Sequence, residues 1–205
     1  MIVTRDEVKT FLGITGTDYD TLIDTYIPII TEDIVEYCNN TFVAKDPCTY
    51  QAKIIYSKTN TIAFVDSNPD TITDSDNGFI TAGFISGDDI YIEGTIRNNG
   101  HFTADTVEAG TLTLNDIDSL TAEDASENTT PTISLVIFPK PLKIVASQMI
   151  GYQLFQINDT RGALRESLGD YSVTYDKPSD TIVGGNMYPK DIIVGLAAYK
   201  YVRMS

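Results

Sequence analysis

The sequence predicts an α+β protein in which a small antiparallel β-barrel or sandwich is inserted into a small helical bundle. Three observations favour this class. Residues 46–132 contain 15 acidic and three basic residues, so they hold most of the net charge of −15. The same stretch alternates polar and apolar residues, as strands do, whereas both flanks repeat apolar residues every three or four positions, as helices do. We therefore expect a discontinuous helical domain, residues 1–50 and 139–205, around a β-rich domain, residues 51–138.

The chain opens with a pattern typical of a short capped helix. Thr4 and Glu7 fit a capping box, in which each side chain accepts a hydrogen bond from the backbone of the other residue. Val8 and Phe11 supply the apolar side of this helix. Gly13 can end it, because glycine readily adopts the left-handed conformation found just after helices.

A longer helix follows, with Thr17 or Asp18 as its expected N-terminal cap and Asn39 near its end. Pro28 lies inside it and should kink it, because proline removes one hydrogen bond of the ladder. The apolar positions recur by three and four, as on one side of a helix. They are Leu22, Ile23, Tyr26, Ile27, Ile30, Ile34 and Tyr37.

The C-terminal flank predicts two more helices and, between them, a strand that follows a turn, within residues 168–176. The third helix begins near Pro139 or Pro141, both acceptable in a first turn. Its buried stripe is Leu142, Val145, Ala146, Met149, Ile150 and Tyr152. The fourth helix begins at Tyr188-Pro189, and its core positions are Ile192, Ile193, Leu196 and Ala197.

The middle of the chain predicts seven short strands, which at this spacing are typical of a small barrel or sandwich. We place them at residues 52–56, 61–65, 79–85, 89–96, 101–107, 111–115 and 132–137. Asn98-Asn99-Gly100 favours a tight hairpin turn, because Asn-Gly pairs accept positive φ angles. Residues 108–110 predict a second turn, and residues 116–131 a polar loop.

The residues that could carry chemistry do not form a recognisable catalytic or metal-binding set. His101, the one histidine, is expected as a solvated hairpin residue, and no catalytic triad or zinc arrangement can be built around it. The segment from Asp66 to Asp70 begins like a calcium loop but lacks its glycine and final glutamate. The carboxylates Asp74, Asp76, Asp88 and Asp89 are expected in solvated acidic loops. We therefore predict no enzyme activity, no cofactor and no bound metal.

Composition also limits the compartment and the partners. A sequence pI of about 4.2 argues against a grip on nucleic acid, which needs clustered cations. No apolar run approaches the roughly 20 residues that span a bilayer. The first ten residues lack the apolar core of a signal peptide, so we expect a cytosol-like compartment and reduced thiols at Cys38 and Cys48.

Three regions of the chain resemble known phage proteins. Residues 3–42, VTRDEVKTFLGITGTDYDTLIDTYIPIITEDIVEYCNNTF, resemble the start of the head–tail connector (adaptor, gp6-like head-completion) proteins of tailed bacteriophages. Residues 168–176 and 188–203 are similar to the closing half of that family. Residues 71–116 and 119–124 resemble a β-module of phage structural proteins, and this insertion departs from typical members.

The resemblance implies a structural protein of the virion neck, made in the host cytoplasm. Members form a ring, usually of twelve copies, under the portal; they extend the DNA channel and join the filled head to the next connector, stopper or tail protein. Double-stranded DNA would pass without sequence-specific binding, and no membrane is involved. With this role, the C-terminal residues Tyr199, Lys200, Tyr201, Arg203 and Met204 are expected to contact the portal or a neighbouring copy.

Two other classes of function stay open at the level of the sequence. The β-rich domain could bind a ligand or receptor, as a neck or tail adhesin would, although the chain has no Trp to form a sugar platform. An enzyme that uses carboxylates alone, as glycosidases do, has no supporting spacing. Glycan binding would favour the adhesin, and turnover lost on mutating one carboxylate pair would favour the enzyme.

Overall fold

The computed structural model describes residues 1–127, 130–156, 165–168, 171–174, 180–183 and 186–201. The chain divides into two compact units. One, called the β unit, contains Met1 and residues 41–138; the other, the helical unit, contains residues 2–40 and the chain from Pro139 onward. Residues 41–50, which we assigned to the helical domain, lie in the β unit. The helices and a seven-stranded antiparallel sheet confirm the predicted α+β class.

Helices flank the strands of the β unit along the chain. In order, the elements are α1 (Arg5–Leu12), α2 (Asp20–Cys38), β1 (Ile55–Ser57), β2 (Ile62–Val65), β3 (Thr71–Asp74), α3 (Phe79–Ala82), β4 (Asp89–Glu93), β5 (Gly100–Val107), β6 (Thr111–Leu114), β7 (Thr132–Val136), α4 (Pro141–Gln156), β8 (Arg165–Leu168), β9 (Tyr171–Thr174), β10 (Asp180–Val183), β11 (Asn186–Pro189), α5 (Lys190–Ile193) and a 3-10 helix (Val194–Tyr199). Six of the seven strands predicted for the middle of the chain are present. The predicted turn at residues 108–110 joins β5 to β6.

The sheet of the β unit has the order β1-β7-β4-β5-β6-β3-β2, and every strand contributes to one buried cluster. Alternation along the strands produces this core: in β4, Ile90 and Ile92 are completely buried, whereas Tyr91 between them is only half-buried. A flat sheet could not bring its first and last strands to one cluster, so the sheet curls around its core. A register shift between Ala104 and Thr106 marks a bulge in β5, a feature that bends a strand.

The strand predicted at residues 79–85 is wrong, because this segment begins with the helix α3. The rings of Phe79 and Phe84 are both buried, and the Phe79 ring lies 5.3 Å from that of Tyr56. Residues five apart lie on opposite faces of a strand, so a strand could not send both rings into one core. Gly83 ends the helix with a φ of 103°, a conformation that side chains rarely allow.

Strand β3 was not predicted, although it is a central strand. Ile72 pairs with Phe64 of β2 on one side and with Leu112 of β6 on the other. Ile72 and Asp74 are buried and alternate with half-buried threonines. The Asn-Pro pair before the strand and the acidic residues after it are typical of a loop, and they concealed the alternation.

Strands β4 and β5 form the predicted hairpin, but Asn98-Asn99-Gly100 is not its two-residue turn. Ile92 pairs with Gly100, so a longer loop joins the strands. Positive φ angles occur at Gly94 (79°) and Gly100 (151°) and at neither asparagine. Asn98 is buried instead, and its side chain bonds to another loop.

The start of the helical unit agrees with the capping prediction. The Thr4 hydroxyl accepts the Glu7 N–H at 3.3 Å, and the Glu7 carboxylate accepts the Thr4 N–H at 3.0 Å. Gly13 ends α1 with a φ of 68°. Val8 is buried as expected, whereas Phe11 is 46% exposed.

Helix α2 begins at Asp20 after Tyr19, whose side chain makes no capping bond, so the cap expected at Thr17 or Asp18 is wrong. Its end at Asn39, with a φ of 47°, is confirmed. Four residues of the predicted apolar stripe are buried, namely Ile23, Ile27, Ile30 and Ile34, and Tyr26 and Tyr37 are half-buried. Leu22 is 43% exposed, because its position lies about 100° around the helix from Ile23.

Helix α4 is the most buried helix in the described portion of the helical unit, and it packs against α1 and α2. Leu142, Val145, Ala146, Met149 and Ile150 are buried as predicted. Gly151 lets α1 approach closely, because a Cβ there would fall 2.7 Å from the Leu12 Cδ2. None of the described helices has the length and apolar character needed to cross a membrane.

The predicted fourth helix is the short α5 followed by the 3-10 helix. Ile193 and Leu196 are buried, but Ala197 is exposed. A 3-10 helix has three residues per turn, so positions 193 and 196 share a side and Ala197 turns outward. The strand predicted after a turn within 168–176 is present as β9, which pairs with β8, a strand that was not predicted; residues 169–170 and 175–176 lie outside the described residues.

Candidate interaction surfaces

The C-terminal segment lies against the end of α2. The Tyr201 N–H donates to the Cys38 carbonyl at 2.7 Å, and the Asn40 side chain donates to the Tyr199 carbonyl at 3.2 Å. A helix leaves its last carbonyl groups without partners in the helix. The Tyr201 bond satisfies one of them and fastens the C-terminal segment to α2.

Lys200 contacts α2 through its side-chain cation, whereas Tyr201 contacts it through its backbone. The Lys200 Nζ lies 3.7 Å from the centroid of the Tyr37 ring, a cation–π contact worth about 0.5–1 kcal/mol at exposed sites. The Tyr201 ring remains exposed, at 59% for the residue. Among the five residues expected to contact a partner, Tyr199, Lys200 and Tyr201 therefore also bind the chain's own helix. Arg203 and Met204 lie outside the described residues.

The cations of α1 are used inside the helical unit. The Arg5 Nε donates to the Asp24 carboxylate at 2.7 Å, and the Lys9 Nζ donates to the Asp20 carboxylate at 2.6 Å. Lys143 at the start of α4 pairs with Glu7. These pairs connect α1 to both α2 and α4, so they orient the helices.

Asp74 is a buried anchor of the β unit and does not belong to a solvated loop. It is 3% exposed, and its Oδ2 accepts the Tyr56 hydroxyl at 2.6 Å and the Gly78 N–H at 2.9 Å. Burial by itself would raise the pKa of Asp74. Hydrogen bonds from Tyr56, Gly78 and Asp76 outweigh burial, so this pKa lies below its ordinary value.

Glu123 is a second buried carboxylate, 2% exposed, and it holds the loop between β4 and β5. Its oxygens accept the Ile96 N–H at 2.8 Å, the Arg97 N–H at 3.2 Å and the Asn98 side-chain amide at 2.8 Å. Its backbone forms an antiparallel bridge with Phe64, which covers the edge of β2. The sequence pattern gave no sign of this role, since Glu123 falls in the segment expected to be a polar loop.

A groove of about 430 Å³ lies beside this bridge. Its walls are Phe64, Val65, Asp66, Arg97, Ala122, Glu123, Asp124 and Glu127. Arg97 forms an ion pair with Glu127 at 3.1 Å across the rim. The volume falls within the range of small-ligand sites, and the lining mixes apolar and charged groups.

Asp118 and Asp89 form a pair of carboxylates that both bind Thr103. The Thr103 N–H donates to Asp118 at 2.7 Å, the Thr103 hydroxyl donates to Asp89 at 2.8 Å, and the Met1 ammonium binds Asp89. Burial raises the pKa of Asp118 to about 6, and the Asp89 carboxylate acts in the same direction, against the Thr103 N–H and the ammonium. Asp118 therefore gains a proton at a higher pH than an exposed aspartate does.

His101 is half-buried, so the expectation of a solvated hairpin residue is wrong. Its Nε2 lies 2.9 Å from the Thr41 carbonyl. Its ring packs between Tyr91 and Phe138, with centroid distances of 4.8 and 5.6 Å. His101 therefore packs between β4 and the segment that follows β7.

In the described ranges, no three His, Cys, Asp or Glu side chains are grouped so that they could hold a metal ion. Both cysteines remain thiols; Cys38 is buried and Cys48 is exposed. Burial raises the pKa of the Cys38 thiol to about 11, although Lys200 opposes the shift. Cys38 is therefore part of the packed core of the helical unit.

The first two fifths of the chain match a known family. Residues 3–82 match the family model described as phage gp6-like head-tail connector protein. The matched region spans α1, α2 and the β unit as far as the end of α3, less than half of the chain, and it includes residues 3–42, which carried the resemblance. No curated protein matches the chain. The match supports a structural role at the head–tail junction of a phage.

Proposed function

We propose that the chain is a head–tail connector of a tailed phage whose copies form a closed ring, usually twelve in this family, beneath the portal. The ring extends the DNA channel and joins the filled head to the tail. The observation that carries this proposal is the family match across α1 and α2. The protein then resides in the virion neck and assembles in the host cytoplasm.

The charge of the chain supports passage of DNA without binding. With a net charge of −15, the protein repels phosphate overall, so a duplex would slide through a channel formed by its copies. No enzymatic step is needed in such a role. The family is structural, and the buried carboxylates Asp74 and Glu123 are occupied by hydrogen bonds that shape loops.

Loss of the chain from the phage tests this function. Without it, infected cells should contain filled heads and free tails, and supplying the protein in trans should restore joined particles. Electron microscopy of the lysate distinguishes these outcomes. Normal numbers of tailed particles in the absence of the chain would contradict the proposal.

The portal contact can be tested at Tyr201. Tyr201→Ser removes the exposed ring but keeps the backbone N–H that caps α2. This variant should stay folded and copurify less with the portal protein. Tyr50→Ser is the matched control, because Tyr50 is 77% exposed and belongs to the β unit. If both variants copurify with the portal protein in equal amounts, the Tyr201 ring does not contribute to portal binding.

A second candidate is a ligand- or receptor-binding neck or tail protein, and the groove beside β2 is the observation that favours it. In that case the full chain should bind a glycan on an array, and Arg97→Ala should abolish the signal. If the wild type binds a glycan and Arg97→Ala does not, the functional site lies in the β unit. If no glycan binds, the connector remains the function that the family match supports.

A further inference from the structure

Helix α2 presents an exposed apolar stripe with acidic ends. Leu22 and Ile29 are 43% and 44% exposed and lie seven residues apart, on the same side of the helix. Glu36, a further seven residues on, continues that side, and Asp18 lies just before the helix begins. Both carboxylates are exposed, and neither has an ion pair within the described chain. We call these four residues the α2 stripe.

The start of α4 and the start of α5 present a complementary surface. Lys140 and Ile144 are four residues apart, as are Lys190 and Val194, and all four are exposed. The residues that follow Ile144 and Val194 are in contact, because a Cβ on Gly195 would lie 3.0 Å from Val145 Cγ2. Ile144 is 50% exposed and Val194 is 65% exposed. This set of four is the lysine patch.

The lysine patch is unusual for this acidic chain because its charges are not used internally. Arg5, Lys9 and Lys143 all pair with carboxylates of the helical unit. Among the described residues of that unit, Lys140 and Lys190 form no ion pair. Apolar side chains flanked by unused cations are suited to an acidic and apolar partner.

The two surfaces lie on different helices. Helices α2 and α4 pack together through their buried sides, and the α2 stripe and the lysine patch are made of exposed residues outside that contact. A closed ring of identical copies needs this arrangement, since each copy must offer two different faces that fit one another.

We propose that the α2 stripe of one copy packs against the lysine patch of the next copy. Leu22 and Ile29 then cover Ile144 and Val194, while Asp18 and Glu36 lie near Lys140 and Lys190. This inference rests on the proposed ring. It adds the faces through which the ring closes and makes the contact dependent on opposite charges.

Cross-linking between two differently labelled copies tests the pairing. In full-length protein carrying Cys48→Ser, one preparation contains Ile29→Cys and the other contains Val194→Cys. A short bismaleimide should join the two into a mixed dimer, and the buried Cys38 should stay unmodified. Thr10→Cys, an exposed position on α1 outside both surfaces, replaces Val194→Cys as the control. Equal yields with Thr10→Cys and Val194→Cys would overturn the proposal.

Charge reversal gives a second, independent readout. Lys140→Glu with Lys190→Glu should lower the mixed-dimer yield about tenfold, since like charges across an interface are strongly unfavourable. Adding Asp18→Lys and Glu36→Lys to the partner preparation should restore it. No loss, or loss without rescue in variants that keep their circular dichroism spectrum, would also overturn the pairing.

The two proposals fail in different ways. A neck that contains a ring of this chain, together with cross-linking only at the control level, leaves the connector function intact and rejects these faces. A neck without copies of the chain rejects the connector function itself.

Discussion

The β unit and the helical unit use carboxylates for different purposes. In the β unit, Asp74 and Glu123 are buried and each accepts several hydrogen bonds that hold neighbouring loops. In the helical unit, Asp18 and Glu36 are exposed at the ends of an apolar stripe. Buried carboxylates therefore hold loops in the β unit. The helical unit instead uses Glu7, Asp20 and Asp24 in ion pairs that orient α1, and it keeps Asp18 and Glu36 exposed. Changes in each unit should separate these two uses.

Glu123→Ala should give the largest effect. It leaves three N–H donors without their acceptor in a buried site, so the β unit should lose about 3–5 kcal/mol of unfolding free energy. Hydrogen exchange should show lost protection in β2, β4 and β5, with the helical unit unchanged. Glu127→Ala, which breaks the exposed pair with Arg97, should cost less than about 1 kcal/mol. Equal costs for the two variants would contradict the anchoring role of Glu123.

A pair of substitutions on α2 should distinguish core from surface. Ile27 is 1% exposed and Ile29 is 44% exposed. Ile27→Ala should destabilise the helical unit by about 2–4 kcal/mol, whereas Ile29→Ala should change stability little. Thermal unfolding measures both. Virion assembly should show the opposite order, with Ile29→Ala folded but deficient, and a fully functional Ile29→Ala protein would argue against an interface on α2.

Tyr56→Phe tests how much the Tyr56 hydroxyl stabilises the buried Asp74 carboxylate. The hydroxyl of Tyr56 donates to Asp74 at 2.6 Å, and its removal leaves one carboxylate oxygen with fewer donors. We expect a loss of about 1–3 kcal/mol at neutral pH. Because the pKa of Asp74 is depressed in the fold, its contribution is present above the unfolded pKa and disappears as pH falls through the folded pKa. The difference between wild type and variant should therefore shrink in acid, and denaturant titrations at several pH values check this.

Asp118→Asn should give a smaller effect with the opposite dependence on pH. The pKa of Asp118 is raised to about 6 in the fold. The contribution of the protonated Asp118 to the free energy of unfolding is therefore present below the unfolded pKa and is lost as pH rises through about 6. Asparagine keeps an acceptor for the Thr103 N–H and cannot ionise. The variant should gain about 1 kcal/mol relative to wild type between about pH 4 and pH 7, as denaturant titrations would measure. Asp105→Asn, the same substitution at an exposed position, is the matched control.

Local patterns predicted the elements that depend on neighbouring residues. The capping box of Thr4 and Glu7 and the left-handed Gly13 need only a few adjacent residues, and both are present. The strand predicted at 79–85 failed because tertiary packing directs Phe79 and Phe84 into one core. Asn98 was misread for a similar reason: its amide serves Glu123, a residue 25 positions away.

The candidate surfaces were less accessible to sequence reasoning. Tyr199, Lys200 and Tyr201 were identified by their residue types and by the family resemblance, but their contacts with the end of α2 depend on how the chain returns to that helix. Leu22 looks like a core residue in a periodic pattern, and Ile144 lies outside the predicted stripe of its helix. Only their exposure in the folded unit identifies them as candidates for contact with another copy.

A density map of the virion neck tests the central claim most directly. We predict a closed ring of this chain between portal and tail. Density for the chain that forms no closed ring, or a neck that lacks the chain, would contradict this claim.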